Sequence, residues 1–263
     1  MRIKCYSILW FVILLWSSLD ASTPRLESIM KHATISKFPN YVSRGMLHNP
    51  HTRDNTDYTM SFKHNDNGLI VDVQTKLTTS SLYLDSQFNV ISSTFNILNN
   101  DLKTKLNYDQ RLAKRNAHDE VEFTFISNNK VTRKKGVFYN RNTIDTFSII
   151  PVLQYLCATD TTLFQADFGV QHMALKVPVL IQKSYTSKLN PLLSTYTVPP
   201  SVVDQISHYS GSYIVFRLKV KGWQGLIYNH VHFYVFSSLP PHHYIGHWGG
   251  PDQTNLFSFA THP

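Results

Sequence analysis

A two-residue hydrophobic rhythm recurs along most of the chain, and it constrains the fold more than any other feature. From Leu69 to Leu77, Leu69, Val71, Val73, Thr75 and Leu77 share one face, and Ile70, Asp72, Gln74 and Lys76 share the other. That is the pattern of a half-buried antiparallel strand. Asn65-Asp66-Asn67-Gly68 just before it is turn chemistry, because Asn and Gly accept positive φ, so Tyr58 to Phe62 is the expected hairpin partner. The rhythm returns in Phe88 to Leu98, in Val121-Phe123-Phe125 and in Val131 to Tyr139, the last two separated by Ser127-Asn128-Asn129. Further on, Ile214-Phe216-Leu218-Val220 alternates with Arg217, Lys219 and Lys221, and Val231-Phe233-Val235 alternates with His230, His232, Tyr234 and Phe236. Shorter candidate strands are Phe164 to Lys176, Tyr244 to Trp248 and Leu256 to Phe259.

One segment breaks the rhythm. Thr143 is placed to cap a helix in which Ile144, Phe147, Ile150, Val152, Leu153 and Leu156 are apolar almost all round, so this helix should be buried. Pro151 implies a kink, or a helix that starts there. Asp145 fits a first-turn carboxylate that complements the helix dipole. A second helix is expected over Pro24 to Ala33, and Leu189 to Ser201, with Pro191, Pro199 and Pro200, reads as a loop. No 20- to 50-residue repeat is present. The expected fold class is mainly β (α+β): an antiparallel sheet curled into a half-open barrel around one buried helix.

Arg2 and Lys4 precede an uncharged run from Cys5 to Trp16, followed by Ser17-Ser18-Leu19-Asp20-Ala21, which is the layout of a signal peptide cleaved near Ala21. The expected organisation is a signal peptide over 1–21, an N-terminal extension over 22–57 and a curled sheet domain over 58–263. No later run approaches a membrane span, so the mature chain is expected not to be an integral membrane protein. Its Cys157 has no intramolecular partner and is expected to be buried. None of the asparagines opens an N-x-Ser/Thr acceptor, which favours a bacterial source, and hence the periplasm. The formal charge of +8 directs attention to anionic partners, including an anionic envelope surface. The basic clusters Arg111-Lys114-Arg115 and Lys130-Arg133-Lys134-Lys135 lack nucleic-acid motifs and read as solvated strand ends and turns, so nucleic acid is not an expected partner.

Seven of the thirteen histidines fall between His208 and His262. On a strand, His230 and His232 share a face and can reach one metal with a third ligand, yet neither a cysteine nor a clearly placed carboxylate completes the shell. No G-x-S-x-G, H-E-x-x-H, P-loop or G-x-G-x-x-G is present. Asp145, Ser148 and a histidine can form a triad only by distant assembly, which nothing in the spacing singles out. No catalytic residue and no cofactor is therefore expected. The aromatic content of 13% would line the concave face of a curled sheet, where Phe123, Phe125, Phe147, Phe216, Phe233 and Val235 are the candidate ligand-binding residues.

The run Ile144-Asp145-Thr146-Phe147-Ser148-Ile149-Ile150 resembles the signature helix of a periplasmic family, the domain of unknown function numbered 3108. Gly136-Val137-Phe138-Tyr139-Asn140 is similar to the strand that leads into that helix. Phe233-Tyr234-Val235-Phe236, Leu239-Pro240 and Tyr244-Ile245-Gly246 are similar to its closing strands. The likeness spans roughly residues 58 to 260. It departs from the family pattern at Gln154, where an Arg would stand, and at Pro151. The resemblance implies a sheet curled around a helix, as in periplasmic lipoprotein carriers, whose relatives chaperone acyl chains; no catalytic residue carries over. The expected role is thus an exported binding, carrier or envelope-maintenance protein for a lipid or other apolar group. The alternatives are a packed barrel acting as a structural interaction protein and a metal-dependent hydrolase that uses the C-terminal histidines.

Overall fold

The computed structural model describes residues 23–35, 38–48, 55–128, 130–138, 142–145, 148–170, 175–189, 211–222, 231–249 and 255–262. The expected signal peptide, most of the 189–201 loop, Phe147 and His230 lie outside them. Among the described residues, β1 (Tyr41–His48), β2 (Asn55–Asn65), β3 (Gly68–Thr75), β4 (Thr78–Asp85), β5 (Val90–Ile97), β6 (Gln110–Arg115), β7 (Glu120–Ser127) and β8 (Lys130–Phe138) run as successive antiparallel neighbours. A second meander contains β9 (Thr143–Asp145), β10 (Leu163–Val170), β11 (Leu175–Thr186), β12 (Tyr213–Val220), β13 (Val231–Ser237), β14 (Tyr244–Gly249) and β15 (Asn255–His262). Its pairs are antiparallel except for β9 on β10. The two meanders join where β15 pairs with β1, with Val42 opposite His262 and His48 opposite Asn255. The sheet thus has β8 and β9, successive in sequence, as its end strands.

Three helices accompany the sheet: α1 (Leu26–Ile29), continued by a 3-10 turn over Met30–His32, α2 (Asn100–Leu106) and α3 (Ile149–Cys157). Every residue of α3 except Tyr155 is buried, and its side chains join one core with Phe62, Leu69, Phe123, Phe164, Phe216 and Phe236. One core fed from strands of both meanders requires the sheet to bend around α3, as the alternation of apolar and polar faces implies. Lys183, inward on β11, donates from Nζ to the carbonyls of Leu156, at 3.2 Å, and Thr159, so a cation meets the negative end of the buried helix. The thiol of Cys157 beside it is buried and free, and burial pushes its pKa up.

Two boundaries differ from the sequence reading. The stretch over 22–57 is not an extension: it supplies α1, β1 and the first residues of β2. The inward positions of β1 are Tyr41, Ser43, Gly45 and Leu47, and the small Ser43 and Gly45 in the middle interrupt the hydrophobic rhythm. Thr143 does not cap a helix, because Thr143–Asp145 pairs in parallel with Asp167–Gly169, and Asp145 therefore lies in a strand. The helix begins at Ile149, which puts Pro151 in its first turn, where no intrahelical partner awaits its missing N–H. The chain carries glycine at 68 because a Cβ there would lie 1.8 Å from the Leu84 carbonyl oxygen.

Candidate functional site

The strand register sorts the concave face. Inward positions of the described strands carry Arg111, Arg115, Lys130, Lys134 and Lys183 but no Asp or Glu. Lys183 serves the end of α3, and Arg115 pairs with Asp119 at 2.9 Å. The other inward cations, Arg111, Lys130 and Lys134, all lie on β6 and β8. The face therefore has two chemically distinct ends.

At the seam of the two meanders the inward side chains form a closed aromatic and polar network. Tyr41 and Phe62 stack with centroids 4.4 Å apart. The Tyr41 hydroxyl donates to Gln154 Oε1 of α3 at 2.6 Å, and Gln154 Nε2 donates to the Pro241 carbonyl at 2.9 Å. Tyr244 Oη and His247 Nδ1 share a hydrogen bond of 2.9 Å, and the His247 ring stacks on Tyr234 at 5.0 Å. Burial raises the pKa of Tyr41, Tyr234 and Tyr244, so all three stay protonated near neutral pH. Burial, aided by His232, pushes His247 down to about 3. A histidine that resists protonation so strongly is a poor proton acceptor near neutrality, and this network is suited to locking the helix in place rather than to acid–base chemistry.

The β5–β8 end differs. Arg111 points inward from β6 and is 4% exposed, with its guanidinium 5.1 Å from the centroid of Phe95 on β5. Tyr108 lies within reach of the Arg111 charge and meets Phe125 edge-on at 5.3 Å. Burial raises the Tyr108 pKa, partly offset by the Arg111 charge and hydrogen bond. Lys134 of the end strand β8 is exposed and holds its ammonium 5.2 Å from the Phe125 ring. Phe95 and Phe125 are only half-buried, whereas Phe62, Phe216 and Phe236 have no exposed surface. Each cation lies over the face of one of these rings.

A third feature is a cleft beside α1, lined by Leu26, Met30, Phe88, Thr143 and Val152. Its free volume is about 10 Å³, barely room for one water, so the cleft is narrow.

The six predicted ligand-binding residues are dispersed by the fold. Phe123 and Phe216 are buried in the core, and Phe125 is half-buried at the cationic end. Phe233 and Val235 face the opposite side of the sheet, because Tyr234 and Phe236 are the β13 residues that enter the core. Both faces of β13 carry large apolar groups, so alternation could not choose between them. Phe147 is outside the described residues. Of the alternative metal ligands, His230 is also outside them, and His232 is half-buried on the inward face. Among the described residues no group of three His, Cys, Asp or Glu side chains converges. Sequence reasoning missed Phe95, Tyr108, Arg111 and Lys134. The signal lay in the β6–β7 register, which puts Arg111 directly opposite Phe125.

No family model matches the sequence, and no curated protein is similar to it. A solved structure is similar in fold: a β-barrel-like protein of the domain of unknown function 1849 from Brucella abortus, with TM-score 0.50 and 6% identity over 84% of this chain and 96% of that one. At that identity the likeness concerns the fold alone, and it agrees with a barrel-like architecture built mainly from strands. Among the described residues no helix is long and apolar enough to cross a membrane.

Proposed function

We propose that this chain is an exported binding or carrier protein of the bacterial envelope, a relative of the 3108 family, that holds an apolar group against its concave face without transforming it. The observation that carries the reading is the half-buried state of the inward rings Phe95 and Phe125, which keep some exposed surface while Phe62, Phe216 and Phe236 keep none. An acyl chain or similar group laid on those rings gains about 25 cal/mol per Å² buried, less the cost of ordering it. The leader-like residues Arg2 to Ala21 supply the case for export.

Native mass spectrometry and solvent extraction of the full chain, purified from envelopes, test this. An apolar ligand at about one per chain is the expected result. Uniformly empty protein would overturn the reading in favour of a packed barrel that docks on a partner, which the narrowness of the α1 cleft would then explain.

A further inference from the structure

We infer that the end strand β8 is a docking edge for an extended, acidic segment of another protein, which pairs with it as an added strand. The inference goes beyond the carrier role and is independent of it. β8 is nine residues long, and among the described residues β7 is the strand that pairs with it, so its other side presents backbone N–H and C=O groups that no described strand takes up. An open edge of that length is a template for a further strand, and proteins guard such edges by brevity or by charge. The other end strand, β9, is guarded by brevity, with three residues. β8 carries charge instead: in Lys130-Val131-Thr132-Arg133-Lys134-Lys135 four of six residues are cations, and no Asp or Glu follows as far as Phe138.

The register spreads that charge over both faces of the strand. Lys130 and Lys134, opposite Ser127 and Phe123, point to the concave side, and Arg133, opposite Thr124, points outward. All three are exposed, and among the described residues none has a carboxylate within ion-pairing distance. A second copy of β8 is a poor partner, because pairing two such strands sets cation against cation. A strand with carboxylates on both faces neutralises these cations while its backbone extends the ladder, so pairing supplies affinity and charge supplies selectivity. Val131, 55% exposed beside Ile126 on the outer face, adds an apolar contact for the incoming strand. An anionic membrane surface would use the charges alone and leave the open backbone side without a role.

The test is fluorescence anisotropy of the full chain with the labelled peptide Glu-Glu-Thr-Val-Glu-Glu-Thr-Val-Glu, which as a strand shows carboxylates on both faces, and with its counterpart carrying lysine for every glutamate. The acidic peptide is expected to bind at least about tenfold more tightly than the basic one. Two further acidic peptides are N-methylated at the odd or at the even positions. The form methylated on the side that meets β8 should lose at least about tenfold in affinity, and the form methylated on the other side should bind almost as before. Lys130→Glu combined with Arg133→Glu, at exposed positions where an unchanged melting temperature is expected, should reverse the preference between the acidic and basic peptides. Equal binding of all three acidic peptides would overturn strand addition, and a preference unmoved by the double substitution would overturn β8 as the site. Binding to phosphatidylglycerol vesicles without binding to the acidic peptide would overturn the inference in favour of a membrane surface. Self-association of the chain without peptide binding would overturn it in favour of a second copy.

Discussion

The seam between the meanders and the β5–β8 end are made from the same alternating strands, yet they meet opposite fates. At the seam, α3 lies against the inward rings, and Gln154 ties Tyr41 of β1 to the carbonyl of Pro241 between β13 and β14, so that three structural elements share one hydrogen-bonded node. At β5–β8 the aromatic floor is half-buried and the inward polar groups are cations on end-proximal strands. Interior polar groups that satisfy one another hold the barrel together, whereas inward groups of like charge repel one another.

Substitutions that separate these roles should act on stability at the seam and on binding at the other end. Phe62→Ala removes a ring that has no exposed surface and stacks on Tyr41, so unfolding in urea should show a loss of about 3–5 kcal/mol. A loss as small as that of an exposed ring would mean that the seam is not the structural anchor. Gln154→Ala leaves the Tyr41 hydroxyl and the Pro241 carbonyl short of a partner and should cost about 1–3 kcal/mol by the same measurement.

Acid should also strike the seam first. The unfolded chain takes up a proton at His247 below its usual pKa of about 6.5, while the folded chain, with its value near 3, does not. Between those values the unfolded state binds more protons, so stability falls as pH falls from neutral toward 3. The melting temperature should drop by a few degrees between pH 7 and 5, and His247→Gln should flatten that slope; an unchanged slope would mean that His247 does not report on the seam. The smallest stability change belongs to Phe125→Ala, below about 1 kcal/mol because its ring is half-buried. Recovery of an apolar ligand should nevertheless fall sharply, and a large stability loss with unchanged ligand would reverse the comparison.

How much of this was legible in the sequence depended on whether each strand had one polar face. The β2–β3 hairpin and β12 were readable because apolar inward residues alternate with polar ones over most of their length, as in Phe216-Arg217-Leu218-Lys219-Val220, with a glycine-bearing turn between the hairpin strands. On β13 both faces are covered, and the inward set was misassigned. On β6 the pattern is inverted: Arg111 faces inward and Leu112 outward, so a basic cluster that looked solvated contains the buried cation of the candidate site. That kind of local conflict is expected where a sequence serves binding rather than folding. The start of α3 was displaced because Thr143 and Asp145 have side chains suited to a helix N-terminus, whereas pairing with β10 claims their backbone.

The β1–β15 ladder has a consequence for the order of events as the polypeptide acquires its shape. Val42 faces Ser61 of β2 on one side and His262 on the other, so the second side of β1 stays unpaired until a strand more than 200 residues away in the sequence arrives. Such remote pairing is slow to form, since the loop must close before any contact rewards it. Losing only β15 would leave two intact sheets, each with a raw flank open to foreign strands; its eight residues are in effect the clasp that separates a finished barrel from a sticky intermediate.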